Sequence, residues 1–161
     1  MPIPRRRRTR LLIACVSALS LIYLGLTAVN ASAADTLLSQ GKPATASSTE
    51  SAGFPAASAV DGNTGTRWSS AFADPQWLQV DLGAPATISS VQLSWEAAYA
   101  TAFQIQTSTD AATWNTVYST TTGTGGNQTL NVSGTGRYIR LYGTQRATAY
   151  GYSLYEFQVY G

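Results

Sequence analysis

The stretch Gln76–Gly83, with the sequence QWLQVDLG, indicates the fold class of this chain. Its apolar residues Leu78, Val80 and Leu82 alternate with polar residues. In an extended backbone, this period places every second side chain on the same face. A glycine and a nearby proline follow the run, and both residue types commonly mark turns. The stretch therefore predicts a β-strand with one face in a hydrophobic core.

The same two-residue period recurs in Val91–Trp95, Phe103–Gln106 and Tyr155–Val159. Turn-forming residues separate the runs, for example at Thr122–Gly126 and Ser133–Gly136. The sequence of residues 35–161 lacks the 3.6-residue period of an amphipathic helix. Several short strands joined by turns predict a single all-β domain, either a sandwich or a barrel.

The first 34 residues have the organisation of an export signal. Five arginines lie among the first ten residues, the apolar run Leu11–Val29 follows, and Ala-Ser-Ala at 31–33 closes it. We therefore expect residues 1–34 to be a secretion signal peptide and residues 35–161 to form a secreted, extracellular domain. An uncleaved membrane anchor is the alternative, because about 20 apolar residues can span a bilayer. The route of export stays open.

Charge and cysteine content narrow the function classes. Residues 35–161 keep five basic and eight acidic side chains, a net charge of −3. A basic surface for nucleic acid is therefore not expected. The only cysteine, Cys15, lies in the signal segment, so the domain has no internal disulfide. Small extracellular folds without disulfides need another cross-link, which favours a bound metal ion.

Four motifs in this order resemble the signatures of the discoidin, or coagulation factor 5/8 type C, superfamily: Ala59–Ser70, Gln76–Gly83, Arg137–Leu141 and Ser153–Gly161. Within the superfamily the chain is similar to bacterial family 32 carbohydrate-binding modules. Trp95–Ala102 and Ala149–Ser153 are similar to a branch attached to chitosanases and β-glucanases. The resemblance implies an eight-stranded antiparallel jelly-roll β-sandwich, of the galactose-binding-domain type, with a structural calcium ion.

A tight turn at Asp61-Gly62-Asn63 offers oxygen ligands of the kind that calcium prefers, and Thr66 adds two more oxygens. Taken alone, the turn could simply be solvated. The resemblance implies that Glu156, on the final strand, closes a calcium shell together with two backbone carbonyls. The predicted ligands are Ser58, Asp61, Asn63, Thr66, Tyr155 and Glu156. Such a closed shell would be structural and not catalytic.

Acids and aromatic rings in predicted loops are the candidates for sugar binding, because rings meet the C–H faces of sugars and charged or amide groups bind hydroxyls. Trp77 and Trp95 lie in predicted strands, so simple core packing is expected for them. The resemblance implies that Glu50, Glu96, Phe72 and Tyr150–Tyr152 contact chitosan. The full candidate set is Glu50, Arg67, Phe72, Glu96, Tyr99, Arg146, Tyr150 and Tyr152.

The predicted function is non-catalytic binding of an extracellular polysaccharide by a monomer. Glu50 and Glu96 could bind the ammonium groups of chitosan, or they could accept hydrogen bonds from the hydroxyl groups of a β-1,3-glucan. The alternative is that both are ordinary exposed acids. A second candidate function is a cell-surface adhesion domain that binds protein or phospholipid, with Phe72 as an exposed apolar anchor. Membrane contact is otherwise expected only through an uncleaved signal. An enzyme is not expected, because the chain has no histidine and the domain has no cysteine.

Overall fold

The computed structural model describes residues 35–161; the expected signal peptide lies outside these described residues. Across residues 35–161 the chain forms seven strands and one short 3-10 helix, Ala56–Ala59. The strands are β1 (Ala44–Ala46), β2 (Trp68–Ser69), β3 (Gln76–Trp95), β4 (Ala100–Ser108), β5 (Asn115–Thr120), β6 (Asn127–Arg146) and β7 (Ser153–Tyr160). All their pairings are antiparallel. No helix in this part of the chain is long and apolar enough to cross a membrane.

Two long strands, β3 and β6, each contribute to both layers of a β-sandwich. The first half of β3 pairs with β1 and with the second half of β6, which also pairs with β4. Together with β5 these strands make what we call the β4 layer. The second half of β3 pairs with the first half of β6 and with β7, which pairs with β2; these make the β7 layer.

The bend between the layers explains a difference from the predicted strand count. The β-sandwich is confirmed, but the count of eight strands is wrong. Residues Ser133–Gly136, predicted to be a turn, lie inside β6, where Gly134 and Gly136 pair with Ile88 and Ala86. Gly83, at a φ of 88°, lies at the matching bend of β3, where the pairing register shifts. The ladder therefore continues through the bend and does not break into separate strands.

The core lies between the layers and is filled by alternate residues of the long strands. The fully buried aromatic side chains are Trp68, Phe103, Tyr152 and Phe157. Trp95 is buried as expected, and its indole N–H donates to Gln128 Oε1 at 3.1 Å. Trp77 is different: it is half-buried and lies between two buried residues of β3, so it faces outward and the expectation of core packing is wrong for it.

A bidentate ion pair joins β3 to β6 near the bend. Arg137 donates through Nε to Asp81 Oδ1 and through its second terminal nitrogen to Asp81 Oδ2, both at 2.8 Å. The backbone N–H of Gly83 donates to the same carboxylate at 2.8 Å. The hydrogen bonds from Arg137, followed by that from Gly83, lower the pKa of Asp81 to about 2.

Replacing Asp81 by Asn should lower the melting temperature at neutral pH by about 1–3 °C, the modest effect of a partly exposed pair. The pKa of Asp81 in the folded domain lies below its ordinary value of 3.8. The stabilisation is therefore complete above about pH 4 and is lost as the pH falls through about 2. Thermal unfolding from pH 7 to pH 2 measures this difference. The control is Asp35→Asn, which removes a carboxylate without an ion pair; an equal deficit at both ends of the pH range would contradict the assignment.

Candidate functional site

Loops from four parts of the chain meet at one end of the sandwich, which we call the loop end. The backbone N–H of Glu50 donates to Ser69 O at 2.7 Å, and that of Ser70 donates to Tyr152 O at 2.9 Å. On the other side, Ser153 N donates to Ala98 O at 2.7 Å. The loops before and after β2, between β3 and β4, and between β6 and β7 are thus held together by main-chain hydrogen bonds.

These loops enclose a cavity of about 290 Å³, the loop cleft. Its lining residues are Glu50, Arg67, Ser69, Glu96, Ala97, Ala98, Thr148 and Tyr150. Beside it, a shallower groove runs past Glu50 to Phe72. The cleft therefore brings together side chains that are as much as 100 residues apart in the sequence.

The two carboxylates of the loop cleft have no cationic partner among residues 35–161. The ion pairs there are Arg137–Asp81 and Arg146–Asp74. Glu96 is oriented by the backbone N–H of Ala98, which donates to its Oε2 at 3.0 Å. Arg67 lines the same cleft but is paired with neither carboxylate, so two negative charges face one positive charge there. The net negative charge favours a ligand that carries ammonium groups or many hydroxyl donors.

Arg67 lies in the same cleft but is held against an aromatic ring. Its guanidinium carbon lies 4.0 Å from the centre of the Phe54 ring. Its Nε is buried and has no hydrogen-bond partner within the described residues. The terminal nitrogens of Arg67 are not buried and have no partner among the described residues, so a hydroxyl or carbonyl of a ligand in the cleft would accept from them.

Two exposed rings form the rim of the loop cleft. Phe72 and Tyr150 are 50% and 64% exposed, and they are the large hydrophobic side chains that residues 35–161 leave exposed. Their ring centres lie 5.7 Å apart and their planes meet at 87°, an edge-to-face contact. Exposed apolar surface of this kind commonly marks a binding site.

A hydrogen-bonded cluster, the Asp74 clamp, fixes the loop that carries Tyr150. Arg146 Nε donates to Asp74 Oδ2 at 3.2 Å. One terminal nitrogen of Arg146 donates to the carbonyls of Ala149 and Tyr150, each at 3.2 Å. The buried hydroxyl of Tyr152 donates to the other oxygen of Asp74. Burial, followed by this hydrogen bond, raises the pKa of the Tyr152 hydroxyl.

The structure brings five of the eight predicted sugar-binding residues to the cleft or its rim, and the other three are not among its lining residues. Tyr152 is fully buried, so its ring cannot stack on an external sugar. Arg146 is engaged by Asp74 and two carbonyls. Tyr99 is half-buried and packs over Gly125, where an added Cβ would lie 2.7 Å from the ring. These three residues support the loops and do not line the cleft.

Sequence reasoning also missed residues that shape the site. Asp74 stands directly before Pro75, and its partners Arg146 and Tyr152 lie 72 and 78 positions away in the sequence. No local pattern signals a contact across such a separation. Thr148 and Ser69 likewise line the cleft without any distinguishing feature in the sequence.

The predicted metal turn is ordered by its own side chains. Asp61 Oδ1 accepts from Asn63 N at 2.8 Å, and its Oδ2 accepts from the Thr66 hydroxyl at 2.7 Å. Glu156 is 5% exposed, and its Oε1 is buried without a hydrogen-bond partner among the described residues. Burial, followed by the charge of Asp61, raises the pKa of Glu156, so the two carboxylates lie close together.

This arrangement fits a cation. A buried carboxylate with one unpartnered oxygen, beside a second carboxylate, is unfavourable unless positive charge is added. Within residues 35–161 no cluster of three or more acidic, histidine or cysteine side chains could hold a metal. Further ligands would therefore have to be amide, hydroxyl and carbonyl oxygens, a donor set that suits calcium. Ser58 lies in the 3-10 helix before the turn and Tyr155 precedes Glu156 on β7, so their carbonyls stay predicted ligands.

Comparison with known proteins defines the class to which this fold belongs. Residues 43–157 match the F5/8 type C domain family, so the chain belongs to this family. No curated protein matches the chain.

Several solved structures are similar to this chain. Chitosan-binding module 1 from a chitosanase/glucanase of Paenibacillus sp. IK-5 is 51% identical, with a TM-score of 0.77, covering 80% of this chain and 100% of that one. Module 2 of the same enzyme, solved with chitotriose, is 50% identical, with a TM-score of 0.74, covering 77% and 99%. A family 32 module of Clostridium perfringens NanJ, solved with galactose, is 24% identical at a TM-score of 0.71, covering 80% and 100%, and shows the shared fold. Within its family, the chain thus falls with the chitosan-binding modules.

Replacing Asp74 by Ala should destabilise the domain by about 1–3 kcal/mol, because the buried Tyr152 hydroxyl and the Arg146 guanidinium would lose their acceptor. Tyr152→Phe is the matched comparison. It removes only the donor and leaves the pair between Asp74 and Arg146 intact, so it should cost less. Chemical denaturation of both variants measures the difference. Equal stabilities of the two variants would contradict the clamp.

Proposed function

We propose that this protein binds a chitosan-type polysaccharide in the loop cleft without cleaving it. The single observation that carries this proposal is the pair of carboxylates, Glu50 and Glu96, that share a cleft and are not ion-paired, so that the one cation there, Arg67, leaves a net negative charge. The similarity to the two chitosan-binding modules of Paenibacillus sp. IK-5 supports the same ligand. The exposed rings of Phe72 and Tyr150 at the rim would stack on the C–H faces of the sugars.

Charge favours chitosan over a neutral β-1,3-glucan. A glucosamine unit presents an ammonium group, and hydrogen bonds between ammonium and carboxylate are about twice as strong as those between neutral groups. A glucan could use the same carboxylates only as acceptors for hydroxyls. A cleft of about 290 Å³ would accommodate only one or two sugar units, so the affinity should be modest, with a Kd of roughly 10 µM to 1 mM.

Binding without catalysis is supported by the composition and by the relatives. The domain has no histidine or cysteine, so it lacks the residues of a Ser-His or Cys-His nucleophile system. The similar chitosan-binding modules are described as parts derived from an enzyme. We propose that this domain likewise attaches to a polymer outside the cell, with residues 1–34 as the export signal.

Titration calorimetry with a chitosan hexamer and a laminarin hexamer tests the proposal. Glu50→Gln and Glu96→Gln should each weaken chitosan binding by about tenfold, because each removes a charge-assisted contact. Binding should also be tighter near pH 5.5 than near pH 8, since more of the sugar amine is protonated at the lower pH. A binding heat with the laminarin hexamer but none with the chitosan hexamer would instead favour a β-1,3-glucan as the ligand.

The control for these variants is Asp35→Asn, which also removes one negative charge. Asp35 lies at the opposite end of the sandwich, because its neighbour Thr36 donates through N to Gly161 O at 3.0 Å, beyond the end of β7. This variant should bind the chitosan hexamer as the parent does. Unchanged binding by both glutamate variants would refute the cleft as the site. Binding to anionic vesicles in place of either sugar would point to an adhesion domain.

We also propose a structural calcium ion between the Asp61 turn and Glu156. The support is the buried, unpartnered Oε1 of Glu156 beside Asp61, in a site whose donors are all oxygens. Asp61, Asn63, Thr66 and Glu156 would hold the ion, with carbonyls of neighbouring residues. Its charge would compensate the two carboxylates and so stabilise the loop before β2.

Calcium should raise the unfolding free energy by about 2.7 kcal/mol at a concentration 100 times its Kd. Glu156→Gln removes the uncompensated buried charge, so in chelator this variant should be more stable than the parent and should gain nothing from calcium. Thermal unfolding in chelator, calcium and magnesium measures this. Glu50→Gln is the matched control and should keep the full calcium response. A parent melting temperature that is the same in calcium and in chelator would refute the site.

A further inference from the structure

The outer face of the β4 layer carries a cluster of side chains that the loop cleft does not use. The register of the strands places Trp77 opposite Tyr142 and Tyr142 opposite Gln104, while Arg140 lies opposite Gln106 in the next row. The residues between them in β3 and β6 are buried, so these side chains point away from the core. We call this surface the aromatic face; its members are Trp77, Gln104, Gln106, Trp114, Arg140 and Tyr142.

Arg140 lies at the centre of the aromatic face in a fixed position. Its guanidinium carbon is 4.1 Å from the centre of the Trp114 ring and 4.9 Å from that of Tyr142. Its Nε donates to Gln106 Oε1 at 2.7 Å, and Gln106 Nε2 donates in turn to Gln104 Oε1 at 2.7 Å. The side chain is therefore ordered before any ligand arrives, which reduces the entropy that binding would cost.

The charge of Arg140 is not compensated by the protein. Of the arginines on this layer, Arg137 is paired with Asp81, whereas no carboxylate among residues 35–161 lies within ion-pair distance of Arg140. Its two terminal nitrogens have no hydrogen-bond acceptor in the same part of the chain, and they are not buried. Partial burial also lowers the pKa of Arg140, as expected for a desolvated cation without a counter-ion.

The indole N–H groups divide the four tryptophans into two kinds. Those of Trp68 and Trp95 donate to Ser48 O and Gln128 Oε1, both at 3.1 Å. Those of Trp77 and Trp114 have no acceptor among the described residues and are not buried. The aromatic face thus presents ring surfaces whose polar edges are open to a ligand, a combination typical of amphipathic binding surfaces.

We propose that the aromatic face is a second saccharide-binding surface, and that its ligand is an acidic polysaccharide made of uronic acid units. The ring faces of Trp77 and Tyr142 would contact the C–H surface of the sugar. The terminal nitrogens of Arg140 would bind the carboxylate as a fork, and the free indole N–H groups would donate to hydroxyls.

Charge separates this surface from the loop cleft. The cleft offers two carboxylates and one guanidinium, that of Arg67, and so is negative overall, whereas the aromatic face offers the guanidinium of Arg140 alone. An ammonium-bearing chitosan would be repelled by Arg140, and a uronate would be repelled by Glu50 and Glu96. The second surface therefore does not depend on the function proposed for the cleft, and each can fail without the other.

Titration calorimetry of the purified protein with a galacturonic acid hexamer tests this inference. We expect measurable binding that weakens by about tenfold in Arg140→Gln. Arg140→Lys keeps the charge but loses the planar fork, so it should recover only part of the affinity. Should Arg140→Gln not fold, Trp77→Phe, which keeps a ring but loses the indole N–H, should also weaken binding.

Two controls make the result specific. Lys42→Gln removes one positive charge from an exposed position away from the aromatic face, and it should bind the hexamer as the parent does. The double variant Glu50→Gln/Glu96→Gln should also keep that binding while losing chitosan. Absence of binding, full binding by Arg140→Gln, an equal loss in Lys42→Gln, or a loss in the double variant would each overturn the inference.

Discussion

The antiparallel pairing of β3 with β6 is the constraint on which the rest of the structure depends. Both strands are 20 residues long, and they stay paired while they cross from one layer to the other. Because the two layers share these strands, the positions of the edge strands follow from a single ladder. The loops at the loop end leave this ladder at fixed places, so the cleft they form is set by the backbone and not by the cleft residues themselves.

Electrostatics gives the surfaces of the sandwich different characters. Where the chain pairs a charge internally, as in Asp81 with Arg137 and Asp74 with Arg146, the pair fixes a bend or a loop. The unpaired carboxylates of the loop cleft lie beside the exposed rings of Phe72 and Tyr150, and the unpaired Arg140 lies against Trp114 and Tyr142. The loop cleft is therefore negative overall, with two carboxylates against the guanidinium of Arg67, whereas the aromatic face is positive, and each favours a ligand of the opposite charge.

Strand β7 connects the loop cleft to the Asp61 turn. Its first residues follow the buried Tyr152, which anchors the Asp74 clamp under the loop cleft, and a few positions later Glu156 lies beside the Asp61 turn. A strand that is buried on both faces over this length is costly to shift. The region of the proposed metal ion and the proposed sugar site are thus held by one rigid element, although their side chains do not mix.

The sequence by itself determined the all-β class and the family, and it identified Glu50, Glu96, Phe72 and Tyr150 as candidates that the structure then places at the loop cleft or its rim. It could do so because alternation, motif order and loop position are local properties of a chain. It could not determine that a Gly-rich stretch continues β6 through a bend, that Tyr152 is buried on Asp74, or that Trp77 faces outward beside Arg140. Those features depend on contacts between residues far apart in sequence. Only the tertiary structure decides them, since the free energy of burying or pairing a side chain is set by the neighbours that folding brings to it.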